Sequence, residues 1–235
     1  MYEEYYGFSE RPFQLTPDPA FYYESVTHKK ALSYLGYGLN QGEGFVVITG
    51  EVGSGKSTLV AHLKQKLDSD RMTVGEVVTS ALDGEEMIHV AARSFGLDAG
   101  GDKAADLAAI EMFLHEEARN GRRALLIVDE AQNLSIGALE ELRMLSNFQL
   151  GNHPLLQTLL LGQPEFRATL QSHSGLEQLR QRVIARIQMA RALGSINLFD
   201  EAYEALDGID KDKLDDPDLI IARLTAEVQI TVRQG

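Results

Sequence analysis

Cysteine is absent from all 235 residues, which removes disulfides, thiolate nucleophiles and the common cysteine zinc sites, and is compatible with a reducing cytoplasm. Histidine is sparse as well. The six histidines are scattered and show no HExxH or other metal spacing, so no structural metal is expected. Long apolar runs are missing: no stretch approaches the roughly 18 or more consecutive apolar residues of a membrane span, so no transmembrane segment is expected. The first residues, MYEEYYGFSERPF, are acidic and aromatic. A secretory signal needs a basic start followed by an apolar run, so this is not one, and the sequence reads as a soluble protein. Bases are few beside acids, 22 Lys and Arg against 35 Asp and Glu for a formal charge of −13. That balance works against non-specific attraction to DNA or anionic lipid and makes nucleic acid a secondary hypothesis.

What the sequence has is an alternation of short apolar runs with helical patterns. Residues 1–27 form an aromatic, proline-containing lead-in, irregular at least through Tyr23. A helix is expected over 28–40, where Ala31, Leu32, Leu35 and Leu39 share a face. Strands are expected over 45–49, 72–78, 124–128 and 155–161. Between them, helices are expected over 56–67, 84–95, 103–119 and 136–148. Such alternation predicts an α/β fold with a parallel sheet covered by helices on both faces. After Gly175 no fifth strand is evident, and 176–193 reads as one long helix rich in Arg and Gln. Residues 200–218 hold nine acidic and two basic residues, with Ala202, Leu206, Ile209 and Leu214 spaced among them. That pattern predicts a helical hairpin rather than a disordered acidic tail. The division expected is a nucleotide-binding domain over 1–185 and a small helical tail over 186–235.

Gly50-Glu51-Val52-Gly53-Ser54-Gly55-Lys56-Ser57 fits the phosphate-loop pattern G-x-x-x-x-G-K-[ST] without a mismatch and sits between a predicted strand and a predicted helix. Glycines there let backbone N–H groups turn inward around phosphates, and the helix N-terminus adds positive potential. Lys56 is expected on the β and γ phosphates of ATP, and Ser57 on Mg²⁺, with Thr58 continuing the binding segment. The apolar run ending in Asp129-Glu130 supplies the other half, with Asp129 a metal ligand through water and Glu130 the base that polarises the attacking water. Gln163, at the end of the next apolar run, is a candidate sensor of the γ phosphate; the alternative is an ordinary turn residue. Arg180, Arg182 and Arg186 lie in LRQRVIAR, where one is a candidate arginine finger for a neighbouring subunit. A solvated basic helix face is the alternative for each.

The lead-in, His28, GFVVITGEVGSGKSTL, LLIVDEAQNL, LEELRMLSNF, LLLGQPEF and LRQRV together resemble the AAA+ ATPases of the general secretion pathway ExeA/GspA type. The branch associated with exosortase and exopolysaccharide loci looks most similar, and the resemblance covers residues 1–185. It implies the roles above for Lys56, Ser57, Asp129 and Glu130, a sensor position at Gln163 and a finger at Arg180 or Arg182. It also implies a lead-in near Phe13 to Tyr22 that helps to cover adenine. A homo-oligomer is implied, serving a cell-envelope secretion or polysaccharide-export system from the cytoplasm, peripherally at the inner membrane. Such ATPases continue with a fifth strand and a helical lid. From Arg186 this chain departs, and ALGSINLFDEAYEAL resembles a tetratricopeptide-type hairpin. Without a fifth strand, the strand over 45–49 would be an edge, the lid and second sensor would be missing, and ATP would be bound better than it is hydrolysed. Two other function classes compete: a DNA-bound adaptor like transposition AAA+ proteins, and a scaffold that binds nucleotide with little turnover.

Overall fold

The computed structural model describes residues 25–189, apart from 43, 80 and 100. Helix α1 (Val26–Gln41) begins at Ser25, whose side chain accepts a hydrogen bond from the His28 backbone, and ends at Gly42 in the left-handed conformation. Strand β1 (Phe45–Gly50) leads into α2 (Lys56–Lys66), and β2 (Met72–Val78) leads into α3 (Gly84–Ser94). Asp83 and Glu86 close a reciprocal capping box at the start of α3. Helix α4 (Lys103–Arg119) is capped by Asp102, and β3 (Arg123–Asp129) follows it. Helix α5 (Ile136–Leu145) is capped by Ser135. A small antiparallel pair, β4 (Gln149–Leu150) with β5 (His153–Pro154), then turns the chain into β6 (Leu156–Gly162). Helix α6 (Pro164–Ser172), α7 (Glu177–Gln181) and β7 (Val183–Met189) complete the described chain.

Five strands pair in parallel in the order β2-β3-β6-β1-β7. The sheet has two buried faces, which explains why β1 and β3 read as nearly continuous apolar runs and why every residue of β6 is buried, Gln157 and Thr158 included. Phe45, Val47, Leu126, Val128, Leu156 and Leu160 join one core with side chains of α3, α4, α5 and α6. Val46, Ile48, Leu125, Ile127, Leu159 and Leu161 point the other way, into a second core with Ala31, Leu35 and Leu39 of α1 and Leu59, Val60 and Leu63 of α2. Successive residues of one strand thus serve opposite layers.

Several expectations fail here. Over the described part of 176–193, through residue 189, the expected long helix is instead the end of a single 3₁₀ turn (Ser174–Leu176), the short α7 and then β7. Strand β7 pairs with β1 from Phe45↔Val183 to Gly50↔Met189. Strand β1 therefore lies between β6 and β7 and is not an edge, so the argument that a missing strand impairs turnover loses its premise. The boundary placed at residue 185 falls inside β7, so the sheet domain runs at least to Met189. The helix expected over 136–148 stops at Leu145, and α6 was not anticipated. The lead-in through residue 24 and the hairpin expected after residue 189 lie outside the described residues.

Candidate nucleotide site

In a parallel sheet, ligands gather where strands end at their carboxyl edge. Here the carboxyl ends of β1, β3 and β6 bring together Gly50, Asp129 and Gly162 with the residues that follow each. The loop after β1 turns back through Gly53 (φ 78°) and Gly55 (φ 83°), conformations that L side chains resist. Gly55 is doubly constrained, because a Cβ there would lie 2.7 Å from Nε2 of His28. Glu51, Val52 and Gly53 are exposed, whereas Ser54 and Lys56 are buried. The Lys56 ammonium donates to the Gly50 carbonyl at 2.7 Å and the Glu51 carbonyl at 3.0 Å, which holds its charge at the start of the loop.

Ser57 Oγ donates to Asp129 Oδ2 at 3.0 Å, joining the first turn of α2 to the end of β3 across 72 positions of sequence. A hydroxyl and a carboxylate side by side are hard oxygen donors, and both are half-buried next to a buried lysine. That donor set fits Mg²⁺ shared with a phosphate chain. Asp129 Oδ1 accepts the Glu130 N–H at 2.8 Å. Glu130 has φ 56° and ψ 39°, and among the described residues it is the only one besides glycine with positive φ. Such a backbone costs about 1–2 kcal/mol for an L residue and must be held by its surroundings. Thr79, at the end of β2, does part of this: its hydroxyl reaches the Asp129 carbonyl at 2.8 Å and the Glu130 carbonyl at 2.7 Å.

Gln163 follows β6 and lies beside Glu130. Gly162 before it admits no side chain, since a Cβ would lie 2.8 Å from that of Phe166. Pro164 opens α6, and the Gln163 side chain makes no capping bond to that helix. Its amide nitrogen instead lies 3.3 Å from Glu130 Oε2. Gln132, passed over in the sequence, joins the same group. Its Nε2 donates to Glu130 Oε2, and its Oε1 accepts the Gln163 N–H at 3.0 Å. The signal available was its position two residues after Glu130 in DEAQNL.

The arginines stand apart from this cluster. Arg180 donates to the carbonyls of Leu170 at 2.8 Å, Gln171 at 3.3 Å and His173 at 2.9 Å, and pairs with Glu177. It closes the C-terminus of α6, the end of a helix that leaves carbonyls unpaired. The Arg180 guanidinium, by hydrogen bonding and by its charge, holds the Glu177 carboxyl below the usual range. Arg182 is exposed and donates through Nη1 to Ser146, at 2.9 Å to Oγ and 3.3 Å to the carbonyl. The Arg182 carbonyl accepts the Phe45 N–H at 2.9 Å, which puts Arg182 at the amino end of β1, opposite the phosphate loop. Arg186 lies in β7.

Residues 39–170 match the AAA domain family, more than half of the chain. The chain belongs to that family. The chain is also similar to the General secretion pathway protein A of Aeromonas hydrophila, 38% identical over 193 residues that make up 80% of this chain and 35% of that protein. The chain thus spans about a third of that relative's length, and the likeness to the ExeA/GspA type is borne out over the part they share. Two solved structures share the fold of the AAA domain. The Aeropyrum pernix ORC2 protein in its ADPNP-ADP complexes is 16% identical, with a TM-score of 0.52 over 77% of this chain and 50% of that one. Cdc6p from Pyrobaculum aerophilum is 18% identical, with a TM-score of 0.53 over 73% of this chain and 48% of its own. The expected α/β sheet of a P-loop nucleotide-binding protein is therefore present.

Proposed function

We propose that this chain binds ATP with Mg²⁺ and hydrolyses it, and that the cycle drives or switches a cell-envelope assembly of the secretion or polysaccharide-export kind. The observation that carries the catalytic part is the 3.0 Å contact between Ser57 Oγ and Asp129 Oδ2, with Lys56 buried beside it. Residues 50–58 cradle the phosphates through backbone N–H groups, and Lys56 turns its ammonium from the loop carbonyls to the β and γ oxygens. Ser57 and Asp129 hold the metal, which when bound offsets charge developing on the phosphates. Glu130 accepts a proton from the attacking water, and Gln163 reads the γ phosphate. The arginine that completes the site comes from another copy of the chain.

The envelope role is supported by the similarity to the General secretion pathway protein A of Aeromonas hydrophila, and the exosortase-associated branch is its finer form. The protein works at the cytoplasmic face of the membrane; no helix among the described residues is long and apolar enough to cross one. A charge of −13 weighs against the DNA-bound alternative.

One set of measurements tests the reading: nucleotide affinity and turnover of the purified chain, with and without duplex DNA. Lys56→Ala removes a charge-assisted phosphate contact and is expected to weaken ATP binding by about tenfold to a hundredfold. Glu130→Gln is expected to keep that affinity and lower turnover by about a hundredfold or more. Equal thermal stabilisation of wild type and Lys56→Ala by ATP-Mg²⁺ sinks the site. Salt-sensitive DNA binding that stimulates turnover moves the protein to the transposition-adaptor class.

A further inference from the structure

We propose that Gln132 is a positioning residue that holds the base Glu130 in register with the phosphate sensor Gln163. The inference rests on the ATPase reading above and deepens it. Its basis is an amide whose two ends are assigned by chemistry rather than chosen. The backbone N–H of Gln163 can only donate, so the Gln132 atom 3.0 Å away is the carbonyl oxygen Oε1. The other end is then the NH₂ group, and it faces Glu130 Oε2. Gln163 adds its own amide nitrogen to the same oxygen at 3.3 Å. One carboxylate oxygen thus receives two side-chain N–H groups, one from each of two residues that are themselves linked.

The elements that carry these residues explain the need for a clamp. Glu130 follows β3 and Gln163 follows β6, neighbours in the sheet whose paired register ends at Val128↔Leu160, short of both residues. Beyond the last ladder bond the two chain ends are free to diverge, and Gln132 spans them. Glu130 also sits in a left-handed backbone conformation, which a non-glycine residue leaves readily unless its side chain and carbonyl are tethered. Thr79 tethers the carbonyl, and Gln132 tethers the carboxylate. The Gln132 side chain is half-buried in the single turn Ala131–Asn133, and Asn133 closes that turn by donating its N–H to the Glu130 carbonyl at 2.9 Å. A contact of Gln163 with the γ phosphate is therefore transmitted to Glu130 through a hydrogen-bonded amide, and the base is aligned when the sensor is engaged.

Gln132→Ala removes both bonds, and Gln132→Glu keeps an acceptor for the Gln163 N–H while turning a like charge on Glu130. In the full chain, Gln132→Ala is expected to lower kcat about tenfold and Gln132→Glu further, with the dissociation constant for a fluorescent ATP analogue changed less than about twofold. In a Glu130→Gln background, Gln132→Ala is expected to add no further loss, because its effect passes through that carboxylate. An independent readout needs no turnover: the ¹⁵N-labelled side-chain NH₂ signal of Gln132, assigned by its loss in Gln132→Ala, moves in Glu130→Ala toward that of an exposed glutamine. Wild-type kcat in Gln132→Ala while Glu130→Gln is dead overturns the clamp and leaves the ATPase reading standing. An equal loss from Gln132→Ala with and without Glu130→Gln overturns it also, as does an NH₂ signal indifferent to Glu130→Ala. Wild-type turnover in Glu130→Gln overturns the assignment of the base, and the clamp with it.

Discussion

The Thr79 hydroxyl lies 2.7 Å from the carbonyl oxygen of Glu130, so the end of β2 helps to hold the one described non-glycine residue in the left-handed region. The same hydroxyl is 2.8 Å from the Asp129 carbonyl, and the Thr79 N–H reaches that carbonyl at 3.2 Å. A buried side chain on the neighbouring strand therefore shapes the turn that carries both carboxylates. Thr79→Val keeps the volume and removes the hydroxyl. The loss of a buried hydrogen bond is expected to cost about 1–2 kcal/mol of stability, with turnover reduced more than nucleotide affinity. Chemical denaturation, with nucleotide titration alongside it, checks this. An unchanged unfolding midpoint together with unchanged turnover would show that Glu130 holds its conformation without Thr79.

His28 packs against the phosphate loop and its burial couples folding stability to pH. Ser25 Oγ is 2.8 Å from Nδ1, and Nε2 faces Gly55. Burial lowers the His28 pKa below its ordinary value, partly opposed by a backbone hydrogen bond at Ser54. The folded protein thus favours neutral imidazole, whereas the unfolded chain takes up a proton more readily. Stability from this group is complete above the unfolded value of about 6.5 and is lost as pH falls from there toward the lower folded value. Melting temperature is therefore expected to drop as pH falls below about 6.5 in wild type, and to drop less in His28→Asn. Parallel pH profiles for the two proteins would remove His28 as the cause.

Glu117 governs a lower window. Arg122, by hydrogen bonding and by charge, holds its carboxyl below the usual range against the opposing effect of burial, and Thr73 adds a further bond. That contribution is present above the ordinary carboxylate value and lost as pH falls through the depressed one. Separation of the two windows lets the His28 effect be read without it.

The phosphate loop and the Asp129-Glu130 pair could be read from sequence because each couples a chemical motif to a strand buried on both faces. Strands β1 and β3 are such strands, with apolar runs over 45–48 and 124–128 leading straight into the motifs. Strand β7 escaped because Val183-Ile-Ala-Arg-Ile-Gln-Met satisfies two periods at once. Val183, Ala185, Ile187 and Met189 alternate as in a strand, while Val183, Ile184 and Ile187 also fit one helical face. The helical LEQLRQ before it tipped the reading. What decides the matter is pairing with β1 across more than 130 residues, which no local window contains. Gln132 and Thr79 escaped for a related reason: a glutamine in a turn and a threonine at a strand end acquire roles only when the sheet order puts β2 and β6 on either side of β3.

The position of β1 in the sheet bears on the direction from which an arginine can reach the phosphates. Arg182 precedes β7 and sits at the amino end of β1, while the phosphate loop leaves its carboxyl end. Six residues of strand separate the two ends, roughly 20 Å at the usual rise per residue. An arginine side chain does not span that distance within one chain, so Arg182 can serve only a neighbour's site. Arg180 is bound to four partners at the end of α6, whereas Arg182 bonds Ser146 through Nη1, so Arg182 is the better candidate. Arg182→Ala is expected to lower turnover at least tenfold with little change in ATP affinity. Lys56→Ala is expected to lose most turnover for a different reason, since its own site binds ATP weakly and lacks the phosphate contact while its Arg182 is intact. Equal mixing of the two inactive proteins pairs an intact site with an intact finger at about a quarter of head-to-tail interfaces, and turnover should recover to about that fraction. It should rise with protein concentration as subunits associate. No recovery on mixing, with both variants folded and exchanging subunits, would assign the finger to another residue, and concentration-independent turnover by a monomer would show that no finger is needed.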